Sequence, residues 1–206
     1  MPILKREIDA SPEHLFELTD PWLVAHVRSR QEKSLARYLE SFHVPFYLPQ
    51  MEKRIRCSGR TVVSYLPLFG GYLFFRGAHP ERDRARRSDL VVNVLEPFDQ
   101  ATLHEELAQL RRLQMTDGRL VPHPYLAPGD SVAISDGAFK GYHGTVIREK
   151  GRERLVVSVS MIRQSVSVEI DREMLVPQQI IERGRPRAAT AFERDSRHGT
   201  SGPALI

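Results

Sequence analysis

The hydrophobic positions near the start of the chain follow strand spacing first and helical spacing next. Residues 22–27 (WLVAHV) are apolar and β-branched, which predicts a buried strand. Leu35, Leu39 and Phe42 then recur at helical spacing and define the buried face of a helix. Ser29 is the predicted cap of that helix, because a glutamate follows it three residues later in a capping-box pattern.

The pattern continues with short strands and a second long helix. Residues 52–66 alternate in polarity and turn at CSGR, which predicts a hairpin. Residues 101–114 place leucines at helical spacing, with Asp99 as the cap. The charged residues 78–89 have room for a short helix or a loop. Together with further strands predicted at residues 43–48, 67–75 and 90–95, this order describes an α+β domain.

Residues 67–75 (PLFGGYLFF) hold four aromatic side chains in nine positions, and none of the nine can act as an acid, base or nucleophile at neutral pH. Alternate residues of a strand point to opposite faces. Phe69, Leu73 and Phe75 are therefore predicted to fill the core, and Tyr72 and Phe74 to share the other face. That second face is either buried or turned towards a partner.

Changes in composition divide the chain into segments. The proline- and glycine-rich residues 115–127 predict a linker after a first domain at 21–114. Residues 128–177 contain short runs of valine, isoleucine and serine between glycines, which predict a small β-barrel. Residues 1–20 and 178–206 lack apolar periodicity. They are predicted to be a loose arm and a disordered tail.

Charge is concentrated in the first half of the chain. Residues 28–87 carry thirteen basic and five acidic residues, a net charge of +8, whereas residues 115–177 carry eight of each. A local basic zone suggests contact with a polyanion, although a solvated surface has the same composition. With one cysteine, no signal-peptide pattern and no apolar run near the roughly 20 residues of a membrane span, a cytoplasmic protein without membrane contact is expected.

The sequence offers no arrangement typical of an enzyme. Cys57 lies in a polar turn without a histidine near it in sequence. The eight histidines show no metal-ligand spacing, and the glycine-rich residues 137–144 lack the lysine and hydroxyl ending of a phosphate-binding loop. We therefore expect no catalytic residue, no metal site and no cofactor.

Two segments together resemble a known family. WLVAHVRSRQEK, FHVPFYLP and PLFGGYLFF resemble the N-terminal domain of the NusG transcription factors, with Gly70 where that family usually has proline. PGDSVAISDGAFKGYHGTVIREK resembles the KOW module that follows this domain in the family. The resemblance covers residues 21–177 and implies a mainly antiparallel sheet flanked by helices, followed by a five-stranded SH3-like barrel.

The resemblance also implies binding partners for the first domain. In the family this domain docks on the clamp helices of the largest RNA polymerase subunits, and Tyr72 and Phe74 occupy the positions of its apolar docking patch. The residues that match the surface facing the non-template DNA strand in RfaH-type members are Arg28, Gln31, Tyr38 and Arg87. The run Arg82, Arg84, Arg86 and Arg87 could instead meet a second polymerase element across the cleft, and bridging the cleft would keep the clamp closed and suppress pausing.

The KOW-like half departs from the general members of the family. Where those carry Ile-Phe-Gly-Arg, this chain has Met161, Ile162, Arg163 and Gln164. In the family this loop contacts a small-subunit ribosomal protein or the termination factor Rho, and the change puts both contacts in doubt. This half therefore looks more like the specialised RfaH-like and UpxY-like paralogues.

Three functions remain open at this point. The first is an operon-selective factor that suppresses pausing and termination. The second is a general NusG-type factor that supports Rho-dependent termination. The third is a ribosome-associated KOW protein that binds RNA, which would have no need of the aromatic docking face.

Overall fold

The computed structural model describes residues 10–57, 59–116, 120–126, 132–133, 140–149 and 151–170. The predicted tail at 178–206 and part of the predicted linker lie outside these residues. Within them, twelve strands and three α-helices form a mixed α/β structure in which every strand pair is antiparallel. None of these helices has the length and apolar character needed to cross a bilayer.

The first sheet has five strands in the order β1-β3-β6-β2-β7. Its strands are β1 (Ala10–Ser11), β2 (Trp22–Val27), β3 (Phe46–Tyr47), β6 (Tyr72–Arg76) and β7 (Val91–Leu95). Helices α1 (Glu32–Ser41) and α2 (His79–Arg87) cover one face, and α3 (Gln100–Met115) covers the other. The strand predicted at residues 22–27, the hairpin and the Asp99 cap are confirmed, and the Thr102 amide donates to the Asp99 carboxylate over 2.9 Å.

Strand β6 separates its side chains between two hydrophobic clusters, as its alternation predicts. Leu73 and Phe75 pack under α1 and α2, whereas Phe74 packs with α3. The placement of Phe69 with Leu73 and Phe75 is wrong, because Phe69 lies in the α3 cluster, with its ring centroid 6.3 Å from that of Phe74. A turn at Gly70 and Gly71 separates Phe69 from β6, and Gly71 has φ +82° in this turn. Phe69 therefore does not follow the alternation of the side chains in the strand.

Two local predictions near the start of the chain are also wrong. Ser29 does not cap α1; Gln31 occupies that position, after Arg30 in a left-handed conformation with φ 61°. The Glu32 carboxylate instead accepts from the Gly71 amide over 2.7 Å. Residues 10–20 are not a loose arm: β1 pairs with β3, and Leu15 is fully buried beside the sheet.

A buried polar cluster joins the first sheet to α3. The Trp22 Nε1 and an Arg76 guanidinium nitrogen both point at Nδ1 of His104, at 3.3 and 2.8 Å. The Arg76 guanidinium also lies 4.2 Å from the centre of the Trp22 ring. Burial, followed by the Arg76 charge, lowers the pKa of His104, which keeps Nδ1 free to accept.

Strands β4 (Gln50–Cys57) and β5 (Arg60–Pro67) form a separate two-stranded sheet, which we call the ribbon. Gln114, near the end of α3, fixes its base: the Tyr47 hydroxyl donates to Gln114, and the Gln114 amide donates to the Gln50 carbonyl over 3.0 Å. Beyond this base, residues 52–56 and 60–62 are exposed. The ribbon therefore projects from the first sheet with both of its faces open near the tip.

The edges of the first sheet differ. Strand β1 supplies two paired residues at one edge. At the other edge, the Val94 amide of β7 donates to the side-chain oxygen of its neighbour Asn93 over 2.8 Å. Val92 on the same strand is 62% exposed, beside a register shift in the pairing with β2.

The second sheet also has five strands, in the order β8-β12-β11-β10-β9. Three residues of the predicted linker form β8 (Val121–His123), which pairs with β12 (Gln164–Ile170). The sheet is completed by β9 (Val132–Ala133), β10 (His143–Glu149) and β11 (Arg152–Val159). Its buried residues, including Leu155 and Val157, belong to the same hydrophobic cluster as the leucines of α3.

Gly144 allows the close approach of β10 to β11. A Cβ at this position would lie 2.4 Å from the Val156 carbonyl oxygen, whereas a Cβ at Gly70 would meet nothing within 4 Å. We expect Gly144→Ala to destabilise the protein by about 1–3 kcal/mol through overpacking. Gly70→Ala should change the free energy of unfolding by no more than about 0.5 kcal/mol, because substitutions at exposed positions usually have effects of this size. Denaturant unfolding measures both, and equal midpoints would contradict the close approach.

Candidate functional site

A pocket of about 350 Å³ opens between α1 and α2, on the side of the first sheet opposite α3. Helix α1 and the residue that follows it contribute two of the lining residues, and α2 contributes four. Six residues line it: Tyr38, Phe42, Pro80, Asp83, Arg84 and Arg87. The walls therefore combine two aromatic rings with two guanidinium groups.

The aromatic rings of the pocket have a geometry suited to a flat ligand. The centroids of Tyr38 and Phe42 lie 4.9 Å apart with their planes tilted by 59°. The Arg84 guanidinium carbon lies 4.6 Å from the centre of the Phe42 ring, and Phe42 remains 44% exposed. A planar base could stack on such rings while the guanidinium groups bind phosphate or base edges.

The sequence did not assign Phe42 to this site. Helical spacing placed it on the buried face with Leu35 and Leu39, but it is the residue that follows α1 and its ring turns outward. One signal was available, because Tyr38 and Phe42 are four residues apart and so neighbours on a helix surface. Arg84, assigned by resemblance to a polymerase contact, also lies in this pocket.

Of the four residues predicted to face DNA, the pocket brings two together, Tyr38 and Arg87. Arg28 is exposed just after β2, where its amide donates to the Leu90 carbonyl. Gln31 is half-buried at the start of α1. It lies seven residues before Tyr38, about 10 Å along the helix axis. Arg28 and Gln31 therefore lie outside the pocket walls.

The three arginines predicted as a second polymerase contact have different surroundings on α2. Arg82 pairs with Glu96, Arg84 lines the pocket, and Arg86 is exposed. Arg82 and Arg86 are four residues apart and so neighbours on the helix surface, whereas Arg84 is two residues from each of them and lies on another face. The helix therefore separates Arg84 from the other two arginines.

The aromatic face predicted for docking is partly covered. Phe74 is fully buried among Tyr47, Phe69 and the leucines of α3. Tyr72 is half-buried and stacks on the exposed His26, with ring centroids 5.4 Å apart and planes within 21°. Tyr72 is thus the member of the predicted pair that a partner can reach in this arrangement.

Polar side chains of α3 hold the second sheet. Gln109 and the backbone of His143 exchange two hydrogen bonds, one of them a donation from the His143 amide over 3.0 Å. Glu106 accepts from the amide and the hydroxyl of Ser160, the latter over 2.6 Å. The Arg112 guanidinium lies 5.5 Å from the centre of the Tyr142 ring.

The predicted partner loop of the second half begins directly after this contact. Ile162 is buried, and Met161 packs against the core cluster. Arg163 adopts a left-handed conformation with φ 51°, and its guanidinium lies 5.5 Å from the centre of the Tyr125 ring. Gln164 pairs with Val159 at the start of β12. Among the four loop residues, Arg163 is exposed, Met161 and Gln164 are half-buried, and Ile162 is buried.

Comparison with known proteins finds a family model that matches part of the chain. Residues 20–111 match the family model described as Transcription termination factor nusG. This range contains the pocket, the ribbon and the first sheet apart from β1. No curated protein matches the chain. Among solved structures, the chain is similar to one titled "Domain interaction in Thermotoga maritima NusG", with 17% identity and a TM-score of 0.43, over 73% of this chain and 93% of that one.

In the part of the chain that the structure describes, no group of three or more histidine, cysteine, aspartate or glutamate side chains could hold a metal ion. The side chain of Cys57 is outside that part. The candidate site itself combines two aromatic rings and two guanidinium groups with one carboxylate, that of Asp83.

Glu106 makes the contact between α3 and the second sheet dependent on pH. Burial is the main cause of its raised pKa, and the bonds from Ser160 oppose the shift. Because burial in this contact raises the pKa of Glu106, its contribution to the stability of the contact is complete at pH values below 4.5, the ordinary pKa of the group. It is lost as the pH rises through the raised value.

We expect the fraction of docked protein to fall as the pH rises from 4.5 through the raised pKa of Glu106, and the amide chemical shifts of His143 and Ser160 report it. Glu106→Gln keeps an oxygen acceptor without a charge, so its docking should be stronger at neutral pH and nearly independent of pH. Glu106→Ala, which removes the acceptor, should weaken docking throughout. An unchanged pH dependence in Glu106→Gln would contradict this role of Glu106.

Proposed function

We propose that this chain is a transcription elongation factor that binds RNA polymerase and the non-template DNA strand and thereby suppresses pausing or termination. The observation that carries the proposal is the pocket lined by Tyr38, Phe42, Arg84 and Arg87, within the range that matches the NusG family model. Its aromatic rings and guanidinium groups suit an unpaired base and its phosphates. Such a role requires binding energy and no catalysis.

Docking on polymerase clamp helices would use the face around Tyr72. Tyr72 is a half-buried aromatic residue at the edge of a hydrophobic cluster, and apolar surface left open to solvent can mark an interaction site. The second sheet packs on α3, on the same side of the first sheet as Tyr72 and Phe74. The α1–α2 pocket lies on the opposite side. DNA binding in the pocket and docking of the second sheet are therefore compatible.

The partner loop favours an operon-selective role over a general one. Arg163 keeps the left-handed backbone that glycine would supply at this position in general family members. Ile162, in the position of their phenylalanine, is 7% exposed and so offers little apolar surface to a partner. This loop would not bind Rho or a ribosomal protein in the way the general members do.

The family description itself favours a second candidate, a factor that supports termination. Binding to Rho would distinguish the two, because the altered loop predicts no binding. A ribosome-associated RNA-binding role is the third candidate, and it predicts association with ribosomes without polymerase binding.

We expect Tyr72→Ala to weaken binding to purified RNA polymerase by about tenfold or more, since buried tyrosines at interfaces contribute about 2 kcal/mol. Tyr65→Ala, at a half-buried tyrosine of the ribbon, is the matched control. Phe74 is unsuitable for this test, because removing a fully buried phenylalanine costs about 3–5 kcal/mol of stability. Equal binding of Tyr72→Ala and wild type would exclude this face. Absence of wild-type binding would overturn the proposal and favour the ribosomal alternative.

For the pocket, we expect Tyr38→Leu and Arg87→Gln each to weaken binding of a single-stranded DNA dodecamer by about tenfold, because stacking on an aromatic ring contributes about 1–3 kcal/mol per base. Fluorescence anisotropy at fixed salt measures the affinity. Arg148→Gln on the exposed end of β10 removes the same charge far from the pocket and should have little effect. An unchanged affinity of Tyr38→Leu would show that no base stacks there.

A further inference from the structure

The ribbon formed by β4 and β5 has two faces of different chemistry. In an antiparallel pair, directly opposed side chains lie on the same face, and residues two apart share it. Lys53, Ile55, Arg60 and Val62 therefore share one face, because Ile55 opposes Val62 in the register. Arg54 and Arg56 lie on the other face. We call the first of these the Lys53 face and the second the Arg54 face.

The Lys53 face is open to solvent and basic. Ile55 and Val62 are 45% and 38% exposed, which is unusual for a directly opposed apolar pair. Lys53 and Arg60 are exposed on either side of this pair. None of the described side chains on this face is acidic. An uncovered apolar pair between two cations fits a polyanion that has apolar groups between its charges.

The Arg54 face is closer to neutral. Glu52 lies on it and pairs with Arg54, with 2.5 Å between the carboxylate and the guanidinium. Arg56 is exposed beside them. The two faces therefore carry the same number of cations, but one of those on the Arg54 face is already paired with a carboxylate.

The spacing of the cations on the Lys53 face matches one dimension of duplex DNA. Arg60 opposes residue 57, so it lies four positions along the ribbon from Lys53. At about 3.3 Å per residue this is about 13 Å. The major groove of B-form DNA is about 12 Å wide and admits a two-stranded ribbon. Lys53 could thus reach a phosphate on one side of the groove and Arg60 a phosphate on the other side. Ile55 and Val62 would then lie between them, above the base edges.

From these observations we propose that the ribbon is a second DNA-binding element, which seats its Lys53 face in the major groove of a B-form duplex. The apolar pair contacts base edges there, where thymine methyl groups offer apolar surface. The α1–α2 pocket takes an unpaired base, so the two elements would recognise double-stranded and single-stranded DNA respectively. This binding requires no polymerase and does not rest on the proposed function.

The position of the ribbon is set by α3. The Tyr47–Gln114–Gln50 hydrogen bonds hold its base, and the Leu68 amide donates to the Pro49 carbonyl over 2.7 Å. Eight residues in each strand give a length of about 26 Å, enough to place the exposed tip beyond the rest of the first sheet.

The test compares two double variants of the full chain that remove equal charge from opposite faces of the same ribbon. Binding of a blunt 20-base-pair DNA duplex is measured by anisotropy over a series of salt concentrations. For Lys53→Gln/Arg60→Gln we expect about tenfold or greater loss at 0.1 M salt. The slope of log K against log salt should fall by about 1.8, since each phosphate contact contributes about 0.9. Arg54→Gln/Arg56→Gln should change the slope by less than half of that amount.

Two further measurements complete the test. An RNA duplex of the same sequence should bind much more weakly than DNA, because the A-form major groove is too narrow for side chains to read. The pocket variant Tyr38→Leu should bind the DNA duplex like wild type, which separates this proposal from the function proposed above. Circular dichroism and unfolding midpoints check that the variants, all at exposed or half-buried positions, are folded.

Four results would overturn the proposal. The first is no binding of the DNA duplex by wild type at 0.05 M salt. The second is an equal loss in the two double variants, which would indicate general charge attraction by the ribbon. The third is equal affinity for the RNA duplex. The last is that Lys53→Gln/Arg60→Gln loses affinity for single-stranded DNA alone, which would assign the Lys53 face to an unpaired strand.

Discussion

The burial of one helix, α3, between two sheets is the packing constraint on which the rest of the structure depends. Leu103, Leu107, Leu110 and Leu113 all have 2% exposure or less and share a single hydrophobic cluster with residues of both sheets. Each such leucine contributes about 1.5–3 kcal/mol when buried. The polar residues of the same helix then determine orientation. Those at its two ends bind the first sheet and the ribbon, and those in its middle bind the second sheet.

This arrangement places the two proposed binding surfaces on opposite sides of the first sheet. The pocket between α1 and α2 lies on the side away from the second sheet, so its access does not depend on where that sheet sits. Tyr72 packs against the hydrophobic cluster on the α3 side, which is also the side on which Glu106 and Gln109 hold the second sheet. A rearrangement of the second sheet would therefore affect the proposed protein-binding face more directly than the proposed nucleic-acid pocket.

The elements with local signals were predictable from the sequence. Alternation identifies the ribbon and β6, and Asp99 caps α3, because a cap or a hairpin turn depends on residues close in the chain. What the sequence could not give depends on distant contacts. The burial of Leu15 requires the sheet that its segment joins, and the turn at Gly70–Gly71 moves Phe69 to the other cluster. The pocket combines Phe42 with Arg84 from another helix, which no single-segment pattern reveals.

The exposed edge of the first sheet has a consequence for how copies of this chain meet. An open edge strand with a bare valine such as Val92 is a template on which a strand of another molecule could add. The amide of Val94 is already occupied by the side chain of Asn93, and the register shift beside Val92 bends the edge. One short amide side chain thus occupies a backbone donor of the edge strand that an added strand would need, and we expect it to oppose polymerisation through the sheet while both proposed binding surfaces stay uncovered.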